Sequence, residues 1–247
     1  HKAHEMVGES AQARGVEALI ALVYDWDPRA AIKAFDRALA LEPGFIPARA
    51  WYTWALVGAG RPDETIKHAR RLVQLDPQSP FAIAMAGLAC LLAGRLEEAL
   101  EHERRAVELA PDSVQAMYML GLVLSAASAW DEAEVWFARA VEQSGGASFF
   151  VTLLAWCQAA AGRREQARQT FADLERRGAT EYICPLFMAV AASELGDAGK
   201  ARSFLAEAFA ERSSMLVLPG LPCMRQLRAD PLMQDLGRRM LGETVAS

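Results

Sequence analysis

Residues 77–111 read PQSPFAIAMAGLACLLAGRLEEALEHERRAVELAP, and the punctuation of that stretch decides the fold. Pro77 and Pro111 stand at its ends, one 34-residue step from each other, and Gly94 divides the stretch in two. The first half, Phe81 to Ala93, is apolar throughout, around Gly87. The second half mixes charge with small and apolar residues at helical spacing, the pattern of a half-buried amphipathic helix. A membrane-spanning helix needs about 20 apolar residues, so the shorter Phe81–Ala93 run predicts a buried helix instead. Proline lacks a donor and restricts the residue before it, so Leu-Asp-Pro (75–77) stops one helix before the next begins.

The same punctuation recurs outward in both directions. Gly60, Gly94, Gly162 and Gly196 all fall on one 34-residue frame, and its two remaining slots hold Trp26 and Ser128. Five positions after each slot come Ala31, Thr65, Ala99, Ala133, Ala167 and Ala201. Four further on lie Phe35, Ala69, Glu103, Phe137, Phe171 and Leu205, and three beyond those Ala38, Leu72, Ala106, Ala140, Leu174 and Ala208. Pro43, Pro77 and Pro111 close the first three units. Each half of a unit is about 14 residues, four turns of helix. Small residues let the two helices of a unit approach closely, while the phenylalanines fill the space beside them. Such a hairpin buries its apolar faces only by stacking on its neighbours.

Composition agrees. Of 247 residues 48 are Ala, against 17 Gly and 11 Pro, which favours helix throughout. The net charge of −5 argues against a nucleic-acid binder that relies on a general positive field. Cys90, Cys157, Cys184 and Cys223 form no C-x-x-C pair, which removes the zinc-ribbon and thioredoxin-like spacings. Most lie in apolar runs, as buried free thiols do. With no charged-then-apolar leader in the sequence as given, the expectation is a reducing, cytoplasmic setting. His1 in place of Met reads as a piece cut from a longer chain.

The set Leu120-Gly121, Ala133, Phe137 and Ala140, with the nearly as full Gly87, Gly94, Ala99, Ala106 and Pro111, resembles the tetratricopeptide repeat family over residues 12–211. The departures are Thr65 for Ala, Glu103 for the aromatic, and Trp26 and Ser128 for the turn glycine, which predict local irregularity. A narrower resemblance runs through Tyr182, Pro185, Leu195-Gly196-Asp197, Glu211-Arg212-Ser213-Ser214, Leu227-Arg228 and Asp230-Pro231. It is similar to tetratricopeptide regions that follow bacterial adenylate cyclase or winged-helix regulator domains, although Met233 replaces an expected aromatic. That resemblance implies an N-terminal output domain outside this sequence. Asp230 then Pro231 is an N-cap with a first-turn proline, opening a capping helix to about Gly242 with Leu232, Leu236 and Met240 on one face. Ser213–Pro222 reads as the connecting loop, its apolar Met215–Leu218 packed on the last hairpin. The fold expectation is therefore all-α: a right-handed superhelical solenoid of six helix–turn–helix hairpins, preceded by a lead-in (1–11) and followed by a loop and capping helix (212–247).

The resemblance implies that first helices line a concave groove, on three rows at 34-residue spacing. The first is Val16, Ala50, Ala84, Tyr118, Thr152 and Leu186; the second Ile20, Trp54, Leu88, Leu122, Trp156 and Val190. The third is Val23, Val57, Leu91, Ser125, Ala159 and Ser193. None carries a charge, which does not suit family members that grip a terminal carboxylate with Lys, Arg and Asn. An apolar groove suits an amphipathic helix or apolar segment of a protein partner, with Ile20, Trp54, Leu88, Tyr118, Leu122 and Trp156 as its contact strip. The bland alternative is that aromatic and aliphatic rows at helical spacing are core.

Chemistry finds little support. No nucleophile elbow, H-E-x-x-H or phosphate-binding glycine loop occurs. His68 and His102 share a slot on successive second helices without a third ligand at compatible spacing. The Arg pairs at 104–105, 163–164 and 176–177 read as solvated faces. No catalytic, cofactor or metal site is assigned. The expected function is a non-catalytic interaction scaffold that binds a protein segment, not nucleic acid or membrane; self-association through the groove or the end near residue 10 is a further expectation. The alternative is a sensory module that takes a small peptide or apolar metabolite and controls the output domain.

Overall fold

Helix starts and stops fall where the sequence supplies caps and breakers. Ser10, Asp27, Ser79, Ser113 and Asp197 each accept a backbone N–H with their side chains at a helix N-terminus. Pro28, Pro47, Pro62, Pro80 and Pro185 occupy first-turn positions, where the missing donor costs nothing. The structure is a computed structural model and describes residues 10–240; the lead-in before Ser10 and the residues after Met240 lie outside it. Two compact units result, one ending at Leu109 and the other beginning at Ala110. Among the described residues all regular structure is helical.

The first unit contains α1 (Ala11–Val23), α2 (Pro28–Leu41), α3 (Ile46–Gly58), α4 (Pro62–Leu75), α5 (Pro80–Leu92) and α6 (Leu96–Leu109). They pack as pairs α1/α2, α3/α4 and α5/α6, with first helices α1, α3 and α5 in sequence contact along one side. The second unit contains α7 (Val114–Ala126), α8 (Trp130–Gln143), α9 (Ser148–Ala160), α10 (Arg164–Arg177), α11 (Pro185–Glu194) and α12 (Ala198–Ala210), paired α7/α8, α9/α10 and α11/α12, with first helices α9 and α11 in contact. The first helices share one length, except for α11, which is shorter by most of a turn. All eighteen residues of the three second-helix rows are buried, so the 34-residue frame is a packing frame.

The turn between paired helices needs a left-handed residue. Gly60, Gly94, Gly162 and Gly196 have φ of 68°, 78°, 84° and 84°, and the non-glycine slots follow suit, Trp26 at 56° and Ser128 at 60°. Ser128 keeps the glycine geometry: Ala129 donates to the Leu124 carbonyl as Arg95 does to Cys90. The expected irregularity is therefore absent there. At Trp26 it is real, because Asp27 reaches back to Ala21 and the turn is wider by one residue.

Two slots show how the hairpins close. Gly121 lies under Phe137, whose ring would stand 2.8 Å from any Cβ added there. One repeat earlier Gly87 lies under Glu103, whose carboxyl would collide with such a Cβ. Glu103 thus takes the aromatic's place. Thr65, the other departure, is buried and returns its hydroxyl to the Arg61 carbonyl at 3.0 Å.

The tail differs from expectation in one respect. Instead of a plain loop, residues after α12 form 3-10 turns at Ser214–Val217 and Pro222–Met224, a single helical turn α13 (Arg225–Arg228), and α14 (Pro231–Met240). Leu216, Val217 and Leu218 are buried, and α14 packs on α12 with Asp230 capping Leu232 N–H at 2.8 Å. The buried residues of α14 are Met233 and Leu236, with Leu232 and Met240 half-buried at the edges. Pro222–Met224, however, packs on the first helices α7 and α9, and α13 on α11. The chain lays its own apolar segment along the first-helix side of its second unit.

Candidate functional site

The strip read from the sequence divides in the structure. Trp54, Leu88, Leu122 and Trp156 are buried, while Tyr118 is half-buried and Ile20 is 50% exposed. Trp54 meets Trp51 edge-on at 4.5 Å, and Trp156 meets Trp130 and Phe137 at 5.9 and 6.2 Å. Tyr118 packs on Phe149 and Phe150. The core alternative therefore describes four of the six. In the second unit the tail segment Pro222–Met224 also packs on the first helices α7 and α9. Removing Trp54 or Trp156 would cost about 3–5 kcal/mol of packing, so those positions report on stability before they report on a partner.

Three of the large apolar residues that remain exposed lie on α1 or at its C-cap, while Leu41, Leu109, Val135 and Tyr182 are scattered elsewhere. Val16 is 57% exposed, Ile20 50% and Tyr24 58%, and their four-residue spacing puts them on one helical face. Beside them lies a cleft of about 160 Å³ whose walls include Val16, Leu19, Phe35, Phe45, Pro47 and Trp51. Gly15 lets Phe45 approach, since a Cβ there would stand 3.3 Å from its ring.

A polar centre that the sequence reading passed over sits at α3 and α4. Arg49 is only 9% exposed, and its guanidinium donates to the Pro43 carbonyl at 2.6 Å and to His68 Nδ1 at 3.0 Å. Arginine is always a donor, so Nδ1 accepts and the His68 proton resides on Nε2. His68 is pushed down to about 4, first by burial and then by Arg49 and Lys67, so the ring stays neutral. Tyr52 packs edge-on against that ring at 4.6 Å and donates to Asp36 at 2.6 Å. Burial and that hydrogen bond raise its hydroxyl above the ordinary tyrosine range. The available signal was a single arginine inside the otherwise uncharged helix IPARAWYTWALVG.

The remaining candidates behave as packing or linkers. Among the described residues no group of three or more His, Cys, Asp or Glu is placed to hold a metal ion. Cys90, Cys157 and Cys223 are buried, and burial pushes each thiol up to about 12; Cys184 is half-buried. The arginine pairs are more than solvated faces: Arg105 donates to the Pro77 carbonyl and Arg177 to the Gly146 carbonyl, tying the linker before a hairpin to that hairpin's second helix. Among the described residues no helix is long and apolar enough to cross a membrane.

Repeating helix pairs, left-handed turn slots and buried small-residue rows are matched by tetratricopeptide repeat sequence profiles over residues 16–80, 53–114, 93–148 and 153–177. The chain belongs to the tetratricopeptide repeat family. Members of that family generally mediate protein–protein interaction and scaffolding. Solved tetratricopeptide structures share its fold. One from Parabacteroides merdae ATCC 43184 is 12% identical, with a TM-score of 0.64 over 97% of this chain and 88% of that one. A thermophilic tetratricopeptide repeat protein from Thermus thermophilus is 19% identical, with a TM-score of 0.61 over 80% of this chain and 100% of the other. PilW, a widely conserved type IV pilus biogenesis factor, is 16% identical, with a TM-score of 0.61 over 93% and 99%. Comparison with curated proteins gives no match.

Proposed function

We propose that this tetratricopeptide region is a non-catalytic scaffold that holds an apolar or amphipathic segment of a partner protein on the first-helix side of its first unit. The observation that carries the reading is the exposed Val16–Ile20–Tyr24 stripe beside an apolar cleft, because contiguous exposed apolar surface in a folded chain marks an interaction site. The second unit supports it by analogy: its own segment at Pro222–Met224 lies on α7 and α9. Ile20 belongs to the contact strip, while Trp54 and Leu88 of the same unit are buried and serve as packing.

The test is selection of amphipathic helical peptides from a displayed library against the wild-type chain, followed by titration of Val16→Asp with Ile20→Asp. Both positions face solvent, so helical content should survive, and binding should weaken by at least about tenfold. Equal affinity for the variant would overturn the reading. The tail run Glu211–Ser214 and Leu227-Arg228 favours a second reading, control of an adjoining output domain. An apolar metabolite that raises the melting point of the folded chain would favour it.

A further inference from the structure

We infer that the first unit carries a second, electrostatic docking site: a basic cleft on the outer side of α4 that takes an acidic, carboxylate-rich segment of a partner protein. The cleft encloses about 710 Å³, and its walls include Arg49, Lys67, Arg70, Arg71 and Arg95, with Asp63 as the one carboxylate among its lining residues. It lies on the second-helix side and shares no residue with the α1 stripe, so it goes beyond the apolar reading and stands or falls separately.

Uncompensated charge is the central observation. Arg49 is nine-tenths buried, its Nε has no partner, and no carboxylate among the described residues comes within ion-pair distance of it. Its own pKa is lowered by burial and then by the like charge of Arg71. Arg70 and Arg95 share a single carboxylate, Glu98, at 3.3 and 2.7 Å. Arg71 donates to the neutral Gln74 at 3.3 Å. Five cations therefore face one cleft with one shared partner and one rim acid, in a chain whose net charge is −5. Taking a guanidinium out of water without a counter-charge is costly, and an incoming anion repays that cost.

The arrangement also selects the anion. Lys67, Arg70, Arg71 and Gln74 recur at three- and four-residue spacing on one face of α4, a run of roughly 10 Å. A single small oxyanion engages two or three of these groups at once. A row of carboxylates on an extended segment, spaced about 3.3 Å per residue, engages them in succession, and arginine forks pair with carboxylates bidentately. His68 holds the Arg49 guanidinium in place through Nδ1 and stays neutral, so it adds a fixed orientation without a competing charge.

Fluorescein-labelled octaglutamate is the probe, followed by anisotropy at low ionic strength, with octaglutamine as the neutral control. Octaglutamate should bind, octaglutamine should not, and Lys67→Glu with Arg71→Glu should weaken binding at least about tenfold. Both substituted residues are exposed, so the variant should keep its circular dichroism spectrum. Arg49→Met serves as a second variant, and Val16→Asp with Ile20→Asp should bind octaglutamate like wild type. Unchanged affinity in the Lys67/Arg71 variant would overturn the proposal. So would complete displacement by millimolar inorganic phosphate, or a single-stranded oligonucleotide that binds more tightly than the peptide.

Discussion

Replacing Glu103 with leucine removes a carboxyl that is 0% exposed, has neither oxygen hydrogen-bonded, and sits where the following repeat places Phe137. Leaving a buried polar group unsatisfied costs about 1–3 kcal/mol, and leucine fills nearly the same volume with apolar surface. The variant should be more stable by that amount at pH 7, or roughly 2–10 °C in Tm for a chain of this size. Burial holds the folded-state carboxyl well above its ordinary value of 4.5. Above that pH the folded chain binds more protons than the unfolded one, so wild-type stability falls as pH rises through it. The gap between variant and wild type must therefore be smallest near pH 4 and widen toward neutrality. Urea unfolding followed by circular dichroism from pH 4 to 8 measures it. Glu103→Gln serves as the control, because it abolishes the slope while keeping an unpaired polar group. A leucine variant less stable than wild type at pH 7, or a gap that does not change with pH, would refute the argument.

Three more outcomes follow from the packing. Ser128→Gly relieves a left-handed backbone at φ 60° and should stabilise by about 1 kcal/mol, visible as a higher denaturant midpoint; a lower one would mean the serine side chain contributes more than the strain. Gly121→Ala forces a methyl to 2.8 Å from the fully buried Phe137 ring and should cost about 1–3 kcal/mol by the same measurement. His68 is pushed from 6.5 to about 4, so the unfolded chain takes up its proton first and stability falls as pH drops from 6.5 toward 4. That fall has a ceiling of roughly 3 kcal/mol, trimmed by solvent at its half-exposed edge. His68→Gln keeps an acceptor for Arg49 and should flatten this loss; an identical slope in wild type and variant would remove His68 as its source.

Helix order and hairpin frame were legible because they are set by local rules, with proline stops, glycine turns and small-residue rows that stay buried in every pair. Burial of the candidate strip was not legible, because it depends on what lies across it. Trp54, Leu88, Leu122 and Trp156 resemble Ile20 in the pattern, yet they are buried while Ile20 faces water. The capping helix was legible from Asp230 and Pro231, but the docked Pro222–Met224 segment was not, since 3-10 turns carry no periodicity as distinct as 3.6 or 2. Arg49 escaped it because a lone charge in an apolar helix acquires meaning only when His68, well along the next helix, is brought to 3.0 Å. Trp26 and Ser128 look alike as missing glycines, and only the hydrogen bonds separate a regular turn from a widened one.

The uneven shielding of the four cysteines has a practical consequence. Alkylating reagents attack the thiolate, and burial suppresses that form at Cys90, Cys157 and Cys223 while Cys184, at the start of α11, is half-buried. A maleimide dye added to the native chain under limiting conditions should therefore mark the Cys184 position ahead of the others. That gives spectroscopic access to the second unit without replacing any residue.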